Sequence, residues 1–144
     1  MKILPIPKRM TLGKGSYKIN KDTILTVSCN ISEIKTALSV KKKIYDTTGV
    51  EVSITRCSKA ETGIFINISG DGNPQGYNVD VNENIIVING YAQIGLFYTV
   101  QTFIQILEQY GNNIPCVRIC DEPDIQVRGF YYDITRGKVP KLET

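Results

Sequence analysis

The chain has 144 residues, 42% hydrophobic and 22% charged, with no histidine, no tryptophan and a net charge of +3. That length suits one domain with a real core and leaves little for a second, and the balance excludes a disordered or collagen-like chain. A charge of 17 basic against 14 acidic residues is too even for a nucleic-acid binder, which needs a basic stripe, and the apolar runs fall short of the roughly 20 residues that cross a membrane.

The first residues, Met1-Lys2-Ile3-Leu4-Pro5-Ile6-Pro7-Lys8, carry prolines where a signal peptide needs an unbroken apolar run. A cytoplasmic location is expected, or a secreted one if a leader has been removed. The cysteines are Cys29, Cys57, Cys116 and Cys120, without any Cys-x-x-Cys pair. With no histidine, a zinc site would need four scattered thiols, so no metal and no cofactor is expected. Cys116 and Cys120 share one face of an expected strand, about 13 Å apart, which is too far for a disulfide. Free thiols are the expectation.

In chain order, residues 1–14 are Pro-, Lys- and Gly-rich and read as an extended lead-in. Strands are expected at Tyr17–Ile19 and Thr23–Val27, with turn chemistry at Asn20-Lys21-Asp22 between them. A helix follows, with Asn30 as N-cap, Glu33 completing a capping box and Gly49 as terminator. Its stripe Ile34/Leu38/Tyr45 reads as core, and Lys41-Lys42-Lys43 as a solvated face. Four strands are expected at Val50–Arg56, Gly63–Ile68, Tyr77–Val81 and Ile85–Ile88, the last two joined by a hairpin link at Asn82-Glu83-Asn84. The glycines in the loop Ser69–Gly76 lack the strand-to-helix setting of a phosphate cradle, so the loop reads as a turn.

The clearest helix runs from Tyr91 to Tyr110 and ends at Gly111. Its apolar surface is wide enough to demand deep packing on a sheet, and Gly95 marks a close backbone approach. A strand at Ile114–Ile119 closes the series. Strict β-α-β alternation is absent, so the expected fold class is α+β: a mixed, largely antiparallel sheet with two helices packed on one face.

Asp121-Glu122-Pro123-Asp124 is an acidic, proline-bearing break. It divides the chain into a domain at 1–121 and a segment at 122–144 with no partners of its own. In that segment Val127–Ile134 reads as a strand, and Thr135–Pro140 as the loop leaving it. The acidic stretch is expected to let the tail swing. Severed strand edges then point to a homodimer formed through the tail.

Three motifs in order carry a resemblance. Gly76-Tyr77-Asn78-Val79-Asp80-Val81 is followed by Ile85-Ile86-Val87-Ile88-Asn89-Gly90. Ile94-Gly95-Leu96-Phe97-Tyr98-Thr99-Val100-Gln101-Thr102-Phe103-Ile104-Gln105-Ile106-Leu107 comes next. Ile114-Pro115, Asp121-x-Pro123 and Arg128-Gly129-x-x-x-Asp133-x-x-Arg136 complete the set. Together they resemble the N-terminal, non-catalytic, zincin-like domain of glycoside hydrolase family 20, the β-N-acetylhexosaminidases, with the start of its catalytic barrel. Thr99 stands where that family usually has glycine. The likeness rests on residues 76–144, and the first 70 residues carry no motif of their own.

The resemblance implies a parent enzyme that hydrolyses terminal β-linked N-acetylhexosamines, with the substrate's own acetamido oxygen as nucleophile. It implies a downstream (β/α)8 barrel as partner and an N-acetylhexosamine-containing glycan as ligand. An Asp–Glu pair deep in that barrel orients the acetamido group and protonates the leaving oxygen. Asp133 and Glu143 match neither member, so no catalytic residue is assigned, and the chain alone is expected to be inactive. Arg136 is the one implied substrate contact, a guanidinium whose fixed donors suit sugar hydroxyls. Arg128 and Asp133 are implied to hold the domain crossing and the strand end.

Two other classes compete. A carbohydrate-binding module needs exposed aromatic platforms, and most tyrosines and phenylalanines here fall on core-facing patterns. A structural or interaction domain could serve another hexosaminidase family. Family 84 is the nearest, but its Arg-Gly-x-x-Glu-Gly-Phe-Tyr-Gly strand differs from Asp133-Ile134-Thr135-Arg136.

Overall fold

The computed structural model describes residues 1–28, 31–129 and 131, with the backbone alone at 31–33. The elements are β1 (Arg9–Lys18), β2 (Ile24–Val27), α1 (Ile31–Thr48), β3 (Ser53–Arg56), β4 (Gly63–Ile68), β5 (Tyr77–Val81), β6 (Ile85–Gly90), α2 (Gln93–Tyr110) and β7 (Asn113–Asp121). The seven strands form one sheet in the order β1-β7-β5-β6-β4-β2-β3. The α+β class holds, but the sheet is evenly split. The pairings β1–β7, β7–β5 and β5–β6 are antiparallel. Those of β6–β4, β4–β2 and β2–β3 are parallel. The parallel half exists because α1 is a crossover that carries the chain from β2 back to β3 in the same direction, which a short turn cannot do. Where the link is only Asn82-Glu83-Asn84, the expected antiparallel hairpin forms.

The lead-in holds a surprise. Residues 9–18 are a ten-residue edge strand on β7, with a register shift between Leu12 and Ser16. Charged and glycine-bearing edges resist further pairing, which is why the composition hid this strand. The turn at 20–22 forms as expected, with Asp22 N–H donating to Asn20 Oδ1 at 2.8 Å. The strands flanking it do not pair, because β1 lies at one edge and β2 near the other.

Alternation places one apolar row after another on a single face. Leu25, Ile64, Ile86, Val81 and Val117 are cross-strand neighbours, as are Val27, Ile66, Ile88, Val79 and Ile119, and all are buried. Both helices pack on this face. From α2 come Leu96, Val100, Phe103, Ile106 and Leu107, and from α1 come Ala37, Val40 and Ile44. Truncating Phe103, which is fully buried, to alanine should cost about 3–5 kcal/mol. The other face is polar and half-buried, with Asp80 opposite Arg118 at 2.7 Å and an amide network joining Asn67, Ser69, Asn89 and Asn78.

The helix faces correct one expectation. Leu38 and Tyr45 are each 57% exposed and are not core. The buried stripe is Ala37/Val40/Ile44, and at 100° per residue Leu38 and Tyr45 fall beside it. On α2, Ile94 and Phe97 lie on the outer surface, 45% and 58% exposed. The lysine run is solvated as expected but spoken for: Lys41 pairs with Glu51, Lys42 with Asp46 and Lys43 with Glu108. Gly49 ends α1 at φ 72°, donating to Tyr45 O. The Asn30–Glu33 capping box lies outside the described residues.

Candidate functional site

The start of β5, the end of β7 and the middle of α2 converge on Tyr77. Its hydroxyl lies 2.8 Å from Thr102 Oγ1 and donates to Asp121 Oδ2 at 3.2 Å. Burial, ahead of the nearby Asp121 charge, pushes the Tyr77 phenol up to about 12, so it is a neutral donor at ordinary pH.

Asp121 also anchors the start of the chain. Its Oδ1 accepts from Lys8 N–H at 3.1 Å, and Lys8 Nζ sits 2.7 Å from Asp124 and 3.8 Å from Glu122. The hydrogen bond to Asp124 raises the Lys8 ammonium above its ordinary value, despite some desolvation. Further along, Gln75 Nε2 donates to Gln126 O at 2.7 Å. Arg128 Nη2 donates to Gln75 Oε1 at 2.7 Å and to Tyr98 Oη at 2.9 Å, while Nη1 donates to Ile125 O. The stretch 121–128 is a strap with contacts on both sides. The acids of the break are the partners of Lys8.

The opposite bank is built by α2 and the N-terminus. Gln105 exchanges two hydrogen bonds with the backbone of Leu4, and Gln109 two with that of Lys2, at 2.6–2.9 Å. Each glutamine thus extends a strand-like pairing from a helix. Their i, i+4 spacing on the polar side of α2 was the only sequence clue. Between this segment, α2 and the strap lies a groove of about 410 Å³, lined by Leu4, Pro5, Tyr77, Tyr98 and Arg128 among others. Gln101 of α2 lines it too, and Ile94 and Phe97 of the same helix are exposed.

The loop before β5 is pressed on the start of α2. Ala92 gives no side-chain cap, and Gly95 N–H instead donates to Pro74 O at 3.1 Å. The expected close approach at Gly95 is present. Thr99, fully buried, shares its hydroxyl between Gly95 O at 2.8 Å and Asn89 O at 3.1 Å, tying α2 to β6.

The described aromatics divide by face, and Tyr98 and Tyr110 pack against the core. Tyr17, Tyr77 and Phe103 are buried, but Tyr45, Phe97 and Tyr131 are exposed and Phe65, Tyr91, Tyr98 and Tyr110 half-buried. Cys57, Cys116 and Cys120 are free thiols, and burial pushes Cys116 up. No group of residues among those described could hold a metal ion. No described helix is long and apolar enough to cross a membrane. Arg136, Asp133 and Glu143 lie outside the described residues. What is held together here is a set of positioning contacts, each ionisable side chain engaged with a structural partner.

Residues 1–122 match the family described as glycosyl hydrolase family 20, domain 2. The chain is 27% identical to a β-hexosaminidase of Porphyromonas gingivalis, over 93% of this chain and 19% of that protein. It is likewise 27% identical to one of Vibrio vulnificus, over 94% and 15%. It therefore spans less than a fifth of the length of these relatives. Among solved structures, the Flavobacterium johnsoniae chitobiase superposes with a TM-score of 0.73 at 22% identity, covering 96% of this chain and 23% of that one. The Streptomyces plicatus N-acetyl-β-hexosaminidase does so with 0.73 at 20%, covering 85% and 26%. The motifs, the fold and the match over 1–122 agree: this chain belongs to glycosyl hydrolase family 20, as its domain 2.

Proposed function

We propose that this domain seats a (β/α)8 catalytic barrel that follows from about residue 122, in an enzyme that removes terminal β-linked N-acetylhexosamines. The observation that carries the reading is the strap, which Arg128 ties to α2 at Tyr98, the residue after the exposed Phe97. A scatter of exposed apolar side chains is ordinary, but Ile125, Val127 and Tyr131 follow one another, 67–90% exposed, in the stretch where the chain departs. A barrel beginning there covers them. On this reading Arg136 stands at the end of the first barrel strand and donates to hydroxyls of the terminal sugar. The acid and the acetamido-orienting carboxylate come from later residues. Without the barrel, the same apolar surface favours association of two copies through the tail.

The test is to express a longer product of the same gene and assay hydrolysis of aryl N-acetyl-β-glucosaminides and galactosaminides. The expected result is turnover that depends on a downstream Asp–Glu pair. A longer product that lacks such a pair and is inert toward both substrates overturns the reading.

A further inference from the structure

The strap is tied to a loop that is itself held by backbone hydrogen bonds. Gln75 stands in the loop before β5, and that loop is locked twice. Tyr91 N–H donates to Gly76 O at 3.0 Å, and Gly95 N–H donates to Pro74 O at 3.1 Å. The ring of Tyr91 fills the space beside Gly70, Gly72 and Gly76, where any Cβ would stand 2.7 Å from it. Tyr98 is one turn further along α2, edge-on to Phe97 with ring centroids 5.8 Å apart. Loop and helix therefore offer two acceptors, Gln75 Oε1 and Tyr98 Oη, at a fixed separation.

One guanidinium nitrogen of Arg128 reaches both, while the other turns back to Ile125 O of the strap. Gln75 is used at both ends, since its amide nitrogen holds Gln126 O. A planar fork can satisfy three acceptors at once, where a lysine ammonium on a flexible stem gives a point charge with no fixed fork. Lys8 ties the upstream half of the same strap through Asp121, Glu122 and Asp124.

We propose that Arg128 and Gln75 form a lock that makes 122–128 rigid, so that the chain leaves this domain at one place and in one direction. Arg128 is then a positioning residue. It sets the orientation of the module that follows, without touching substrate. The identity of that module rests on the function proposed above, but the lock does not.

Backbone ¹⁵N relaxation on the 144-residue chain tests it. In the wild type, order parameters at 124–128 should lie near the roughly 0.85 of the sheet. Arg128→Ala, and independently Gln75→Ala, should drop them toward about 0.6 while α2 and β5–β7 stay rigid. Arg128→Lys should not restore them. The proposal fails if the wild-type strap is already mobile, if neither alanine variant loosens it, or if lysine restores it fully. Relaxation reads the chain alone, so this failure is distinct from a longer product that lacks hexosaminidase activity.

Discussion

A Cβ on Gly95 would stand 2.2 Å from the carbonyl oxygen of Gly76, closer than any real contact. The two glycines let α2 press its first turn on the loop before β5. In an open helix, replacing glycine by alanine stabilises by about 1 kcal/mol. Here the sign should reverse. Gly95→Ala is expected to destabilise by about 1–3 kcal/mol or more, because the obstacle is backbone on both sides. Urea unfolding of the purified chain checks it, and a gain in stability would show that loop and helix can part freely.

Tyr77 gives the account a pH signature. Its folded phenol titrates near 12, above the usual 10. The raised value means that the native state holds the proton more tightly. The stabilisation is full below about pH 10 and is lost as pH rises through 12. It is on the order of 2 kcal/mol. Tyr77→Phe should lower stability at pH 8 by about 1–2 kcal/mol, since Thr102 and Asp121 lose a partner. It should also flatten the fall in stability between pH 10 and 12. Parallel pH–stability curves for the two proteins would contradict the burial of the Tyr77 phenol beside Asp121.

The outer strip of α2 separates this domain's own stability from its proposed work. Phe97 is 58% exposed, so Phe97→Glu should change the unfolding free energy of this chain by no more than about 0.5 kcal/mol. In a longer product carrying the barrel, the same charge would be buried without a partner. It should cost several kcal/mol there, read as a lowered Tm. Equal effects in the two proteins would mean that the barrel does not dock on Phe97.

The sequence revealed the strands and the glycines better than the faces. β4, β5, the hairpin at 82–84 and the ends of both helices followed from alternation and from Gly49 and Gly111, each a local signal. The error on α1 came from a stripe drawn through Leu38 and Tyr45, one position beside Ala37, Val40 and Ile44. Alanine and valine weigh little in such a stripe, although they face the sheet. Only the end of β1, at Tyr17 and Lys18, was expected as strand; the rest was missed because its pairing with β7 spans about a hundred residues and its composition is that of an edge. The strap was legible only as an acidic break. Its order comes from Lys8, Gln75 and Tyr98, none of which is near it in sequence, so no local pattern could announce it.

The central claim is that this chain positions a catalytic module and performs no chemistry itself. The most direct measurement is the steady-state hydrolysis of an aryl N-acetyl-β-glucosaminide and of the corresponding galactosaminide by the purified 144-residue chain at high concentration. The account predicts a rate equal to that of buffer alone for both substrates. Saturable turnover that remains with the protein after a second, independent purification would contradict it.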